Sequence, residues 1–276
     1  MSLSHDLQYA TDLARGAGKI ILEHYGKVER LTKTHSAASE EAVTDADRAS
    51  QRFIVAGLRN RFPGDGIVGE ESETGESITF DCPNPGGRNW VIDPIDGTNN
   101  FIAGLGNFCV CIGLMEQGEP VLGVVYDVTR DVMFAAARGQ GAWMGTTQVR
   151  VPAVPLSDSS MIMFTSNLLT GNQCPTWACK FLAQTNWKMR ILGSAALEAI
   201  YVAAGVAHAA ITVNGKLWDI AAAAAIVLEA GGVMTDLKGK RIFPFDLVNY
   251  SGAKVPFLAA APQAYQPLLD LIIANP

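Results

Sequence analysis

The chain has 276 residues, 49% of them apolar and 17% charged, with a formal net charge of −6. A charged share below the roughly 25% of an average soluble domain predicts extensive burial and favours an oligomer with an apolar interface. The acidic balance and the lack of a basic run argue against a nucleic-acid polymer as partner; with no apolar run near the roughly 20 residues of a membrane span and no leader-like start, a cytoplasmic protein off the membrane is expected.

Leu7, Ala10, Ala14, Ala17 and Ile21 recur at helical spacing before a stop at His24-Tyr25-Gly26, so the chain opens with an amphipathic helix. Residues 27–43 are polar without periodicity and read as a long surface loop, a length uncommon unless it serves a site. A second helix starts at Thr44 or Asp45, whose side chains can cap it, and runs through Phe53, Ile54 and Leu58 to Arg61, where Pro63-Gly64 breaks it. Ile67-Val68-Gly69 forms a short strand that delivers Glu70 and Glu71, and residues 74–88, rich in Gly, Pro and Ser, form a loop or hairpin. Trp90-Val91-Ile92 is a buried strand that empties into a turn over residues 93–97. Residues 108–115, 120–127 and 132–136 read as adjacent antiparallel strands, with a further hairpin over 138–151.

Beyond Pro155 the texture becomes alternating: strands at 160–165, 188–191 and 209–213, helices at 175–183, 194–204 and 219–230, the last stopped by Gly231-Gly232. One α/β unit over residues 1–276 is expected, with sub-halves at 1–153 and 154–276. The five cysteines (Cys82, Cys109, Cys111, Cys174, Cys179) include no CxxC pair and read as buried thiols. The four histidines lack ligand spacing and read as structural or surface residues.

Chemistry concentrates at Asp93-Pro94-Ile95-Asp96-Gly97-Thr98. Two carboxylates three residues apart, with a proline fixing the backbone between them, can converge on one point only if a cation sits there. Oxygen ligands without supporting His or Cys favour magnesium or calcium over zinc. Gly97 permits close backbone approach, and the amides of Gly97 and Thr98 form an anion cradle if a helical turn opens there. Metal and cradle together suit a phosphoryl group, because a water polarised by the metal becomes nucleophilic at neutral pH. Taken alone, the same string also reads as a polar strand exit, Asp219 as the cap of an alanine-rich helix, and Asp47 as an exposed residue at a helix start.

The string Trp90-x-x-Asp93-Pro94-Ile95-Asp96-Gly97-Thr98-x-x-Phe101 resembles the signature of the inositol monophosphatase family, magnesium-dependent and lithium-sensitive phosphatases. Val43-Thr44-Asp45-Ala46-Asp47, Gly69-Glu70-Glu71-Ser72, Gly193-Ser194-Ala195-Ala196, Trp218-Asp219-Ile220-Ala221-Ala222 and Glu229-Ala230-Gly231-Gly232 agree in order and spacing. The resemblance covers nearly the whole chain. It implies an αβαβα sugar-phosphatase sandwich, α+β in its layering, with a mainly antiparallel first sheet, a mixed second sheet and the site between them. It also implies a homodimer and a small phosphorylated metabolite as substrate, hydrolysed with two to three Mg2+ ions per site.

By the resemblance, Glu70, Asp93 and the carbonyl of Ile95 hold one ion, Asp93, Asp96 and Asp219 a second, and a third, weaker one lies near Glu70. Thr98 and Asp47 form a hydrogen-bonded pair that orients the attacking water beside Glu70, and Gly97 and Thr98 bind phosphate through their amides. Gly193, Ser194, Ala195 and Thr212 face the substrate. Lys33 is matched to the family's mobile-loop lysine.

Inositol-selective members carry a glutamate seven residues before the distal metal aspartate. Thr212 stands there, and a hydroxyl cannot replace a carboxylate that accepts two sugar hydroxyl bonds, which argues against an inositol phosphate as substrate. Relatives acting on adenosine bisphosphates show Lys-Glu after the Asp-Gly-Thr, whereas this chain has Asn99-Asn100. Histidinol phosphate and sugar phosphates such as fructose bisphosphate stay open. A non-catalytic metal- or phosphate-binding protein would be marked by a broken ligand set, and every ligand position here is filled.

Overall fold

In the computed structural model, which describes residues 2–26, 31–32, 42–43, 45–72, 79–81, 86–168 and 173–275, the opening apolar repeat folds as α1 (Leu3–His24), burying Ala10, Ala14, Ala17 and Ile21 on one face. A two-stranded ribbon of β1 (Leu31–Thr32) and β2 (Ala42–Val43) stands where the sequence predicts only loop. Lys33, His35, Thr44 and Cys82 lie outside the described residues. Next come α2 (Asp45–Arg61), β3 (Gly66–Gly69), β4 (Thr79–Asp81), β5 (Arg88–Asp96) and α3 (Thr98–Ile102). A meander follows: β6 (Cys109–Glu116), β7 (Glu119–Asp127), β8 (Val132–Ala137), β9 (Ala142–Met144) and β10 (Thr147–Val149). The second half holds β11 (Met161–Phe164), α4 (Thr176–Gln184), β12 (Lys188–Arg190), α5 (Ala195–Ala203), β13 (Ala209–Thr212), α6 (Leu217–Glu229), β14 (Val233–Thr235), β15 (Phe257–Ala260) and α7 (Pro262–Ile273).

Eight strands form the first sheet in the order β10-β9-β8-β7-β6-β5-β3-β4, antiparallel except where β3 runs parallel to β5. The second sheet, β12-β11-β13-β15-β14, pairs β12, β11 and β13 in parallel and sets β15 antiparallel to both its neighbours, so it is mixed as expected. Three apolar clusters give the layering. One joins α1 and α2 to the outer face of the first sheet, a second buries α5 and α6 between the sheets, and a third packs α4 and α7 on the far face of the second sheet.

Sandwiched between two sheets, α6 has to be apolar all round and slim. Its run Ala221 to Ala225 is buried throughout, and glycines on the facing strands let it approach at backbone distance. A Cβ on Gly123 would sit 2.1 Å from the carbonyl oxygen of Ala222, and one on Gly113 would sit 2.9 Å from the Ala222 nitrogen.

On the outer face Arg88 collects three acids. It donates to Asp6 of α1 at 2.9 Å, Asp65 at 3.1 Å and Glu116 of β6 at 3.1 Å, while the indole N–H of Trp90 also donates to Asp65 at 2.9 Å. Burial and these acids act oppositely on the guanidinium, and the acids prevail, holding its pKa above the ordinary value. The network ties α1 and the turn after α2 to the strand that carries the acidic motif.

Candidate active site

β3 and β5 run parallel with Gly69 opposite Ile92, and the Glu70 amide donates to the Ile92 carbonyl at 3.2 Å. Glu70 and Asp93 therefore leave the sheet side by side. The sequence ends the strand at Ile92, but pairing continues to Asp96 through a bulge: Asp93 lies opposite Cys111 and Asp96 opposite Cys109. The partner strand advances two residues while β5 advances three. Residues three apart in a regular strand face opposite ways; the extra residue turns Asp96 back to the face of Asp93. The proline between them suits such a break, since it has no N–H to give the ladder.

Asp219 arrives from the other half. The helix that the sequence starts at Asp219 begins at Leu217, so Asp219 closes its first turn, where its Oδ2 accepts from the Lys216 amide at 2.9 Å. A carboxylate there also meets the positive end of the helix dipole.

The four acids converge. Burial raises the Asp93 carboxyl well above the usual carboxylate range, and the charges of Glu70, Asp96 and Asp219 add to that rise. Asp96 is raised too, by burial first, against four hydrogen bonds that favour its charged form, from Ser194, Ala196, Ala195 and the Cys109 thiol. Its Oδ2 accepts from the Ser194 hydroxyl at 2.6 Å and the Ala196 amide at 2.7 Å, and its Oδ1 from the Ala195 amide at 3.3 Å. Buried like charges held this close call for a cation, and an all-oxygen donor set fits a hard divalent ion. Cys109 and Cys111 approach Asp96 from the sheet. Burial pushes both thiols up.

Gly97 links the motif to α3 with φ 97°, and a Cβ there would lie 2.8 Å from the Asn107 carbonyl, so glycine is required on both counts. Thr98 departs from the resemblance. Its hydroxyl donates to the Ile95 carbonyl at 2.8 Å, so its one proton points within the motif rather than at Asp47. Asp47 is buried in the first turn of α2, a helix docked on the motif through Ser50, whose hydroxyl donates to the Pro94 carbonyl at 3.3 Å.

Glu70, Asp93, Ile95, Asp96, Gly97, Thr98, Gly193, Ser194, Ala195, Thr212 and Asp219 all line one cleft of about 330 Å³. Asp47 does not line it. The cleft also holds residues that sequence reasoning passed over. Glu198 of α5 is fully buried; its Oε1 accepts from the amides of Leu192 at 2.8 Å and Gly193 at 3.2 Å, and burial raises it to about 8. A lone acid in the apolar run Ala195–Ala203 was the available signal. Asn100 donates to the carbonyls of Asn107 at 2.8 Å and Leu192 at 2.7 Å, clamping α3 to the turn before α5. Thr165, Asn214, Lys216 and Lys254 come from three separated segments, and no local pattern marks them.

A two-sheet α/β sandwich with buried acids gathered between its halves defines a class of phosphate-ester hydrolases that depend on divalent metals. The chain belongs to the inositol monophosphatase family, whose model matches residues 2–269, and it is a phosphoric monoester hydrolase. It is 35% identical over 245 residues to a protein named fructose-1,6-bisphosphatase/inositol-1-monophosphatase from Thermotoga maritima, covering 87% of this chain and 88% of that one. It is 35% identical over 274 residues to Nus factor SuhB of Pasteurella multocida, covering 96% and 95%. Among solved structures, Thermotoga maritima IMPase superposes with a TM-score of 0.82 at 31% identity, covering 98% of this chain and 97% of that one. No helix among the described residues is long and apolar enough to cross a membrane.

Proposed function

We propose that the chain hydrolyses the phosphomonoester of a small metabolite in this cleft with two to three Mg2+ ions. The observation that carries the reading is the convergence of buried Asp93 and Asp96 with Glu70 and Asp219 in one cleft. Glu70, Asp93 and the Ile95 carbonyl would hold one ion, Asp93, Asp96 and Asp219 a second, with a third near Glu70. When bound, Mg2+ supplies the positive charge that neutralises phosphoryl oxygens and acidifies a water.

This chain's own groups do the positioning. The amides of Gly97 and Thr98 hold the phosphate, Glu70 and the Thr98 hydroxyl orient the attacking water, Asp47 acts from outside the cleft through Thr98, and Glu70 accepts the proton. For that, the Thr98 hydroxyl turns its proton from the Ile95 carbonyl to Asp47, so that its oxygen accepts from the water. A new P–O bond forms in line with the ester bond that breaks, and the leaving oxygen takes up a proton. Gly193, Ser194, Ala195 and Thr212 bind the alcohol portion.

Thr212, in the place of the family's inositol-binding glutamate, favours a sugar phosphate over an inositol phosphate; the Thermotoga maritima relative is named for both fructose bisphosphate and inositol phosphate. The reading includes a homodimer in the cytoplasm, supported by the 17% charged content and by exposed Leu105, Leu182 and Ile191. The test is phosphate release from inositol 1-phosphate, histidinol phosphate, fructose bisphosphate and adenosine bisphosphate, with Mg2+ and with chelator. Mg2+-dependent release supports the reading; no release from any of them defeats it.

A further inference from the structure

The cleft is chemically two-sided. Its acids gather around the motif, whereas the wall formed by residues 165–167, 212, 214–216 and 254 contains no acidic residue and two lysines. Three groups on that wall have no use among the described residues. The hydroxyl of Thr212 is buried, lines the cleft and has no hydrogen-bond partner among the described residues. Buried hydroxyls are nearly always bonded, so one left open at a cleft marks a place for a ligand atom. Thr165 donates its hydroxyl to Asn214 Oδ1 at 2.6 Å, which fixes the amide and leaves the two N–H donors of Nδ2 for a ligand.

Lys254 is the third. The strap that carries it is held on both sides, because the Val255 amide donates to the Gly215 carbonyl at 2.6 Å and the Lys216 ammonium donates to the Gly252 carbonyl. Lys216 is thereby occupied, with its ammonium also 5.9 Å from the centre of the Trp218 ring. Lys254 lines the cleft and makes no ion pair with a described residue. A hydroxyl, an amide donor and an ammonium on one wall form a donor set for an anion, and they disfavour a cationic group.

We infer that Thr212, Asn214 and Lys254 form a second anion subsite, and that the preferred substrate is a phosphomonoester carrying another acidic group, phosphate or carboxylate, at its far end. This rests on the phosphatase reading above and narrows its substrate. The phosphate to be cleaved occupies the acidic, metal-holding end, and the distal anion neutralises Lys254 without a metal ion.

The test compares kcat/KM, with Mg2+, for four six-carbon substrates: glucitol 6-phosphate, glucitol 1,6-bisphosphate, 6-phosphogluconate and glucosamine 6-phosphate. Wild-type protein is expected to prefer at least one of the two compounds with a second acidic group over glucitol 6-phosphate by about tenfold, expressed mainly in KM. Two scissile phosphates alone give only about a factor of two by counting, and which of the two compounds wins identifies the distal group. Lys254→Gln, at an exposed position, is expected to cut that ratio about tenfold. Thr212→Val should lower it severalfold, and Lys254→Glu should move the preference toward glucosamine 6-phosphate. A wild-type ratio within threefold of one, or a preference that survives Lys254→Gln, overturns the subsite while leaving the phosphatase intact. No phosphate from any of the four overturns the underlying reading and the subsite with it.

Discussion

Replacing Glu198 by glutamine isolates one buried carboxyl from its charge. Oε1 accepts the amides of Leu192 and Gly193, Oε2 has no partner among the described residues, and burial raises the group from 4.5 to about 8. The folded protein therefore keeps this proton to a higher pH than the unfolded chain does. Its contribution to stability is fully present below pH 4.5, falls as pH rises, and is exhausted near pH 8. At about 1.36 kcal/mol per pH unit, the loss across that window is on the order of 5 kcal/mol. Glutamine has the same shape, accepts the same two amides and does not titrate. Urea unfolding of metal-free protein, followed by tryptophan fluorescence at pH 5, 7 and 8.5, is expected to show Glu198→Gln close to wild type at pH 5 and progressively more stable at higher pH. Any constant packing difference cancels between pH values, so a gap that stays the same from pH 5 to 8.5 refutes the reasoning.

Asp96→Asn is expected to lower kcat about a hundredfold or more, because the site loses a charge and the amide would face the Ala195 or Ala196 N–H that Asp96 now accepts; phosphate release measures the loss and circular dichroism checks the fold. Gly97→Ala places a side chain at φ 97° and against the Asn107 carbonyl, costing at least about 1–2 kcal/mol and displacing the cradle, so both Tm and turnover should fall. Arg88→Met strands buried Asp6 and should cost about 3 kcal/mol in urea unfolding while leaving the cleft residues in place. Lithium titration should inhibit Mg2+-dependent turnover, as is typical of the family.

The helices α1 and α2 and the hairpin of β6 and β7 were legible because their apolar periodicity is local and their breaks carry glycine or proline, and β8 was legible from its own short apolar run. The true end of β5 was not. Pairing from Cys109 carries the ladder past Pro94, and nothing local announces a bulge. Helix α6 starts two residues early for a similar reason: the Lys216 amide finds its acceptor in Asp219, three residues on. Residues 233–276 drew no assignment, since β14 and β15 are short apolar pieces whose strand character comes from pairing with each other and with β13. At the site, the acids and Gly97 could be read because their chemistry is written in one string and two short blocks. The partners of Asp96 on α5, the clamp made by Asn100 and the wall around Lys254 exist only once both halves are packed together.

The central claim is that Glu70, Asp93, Asp96 and Asp219 act as one receptor for divalent cations. Isothermal titration of Mg2+ into metal-free protein tests it directly, with Asp93→Asn alongside, because Asp93 feels the other three acids. Saturable uptake of two to three ions per chain by wild type, with uptake collapsing in Asp93→Asn, is the predicted result. No uptake by wild type, or equal uptake by the variant, contradicts it.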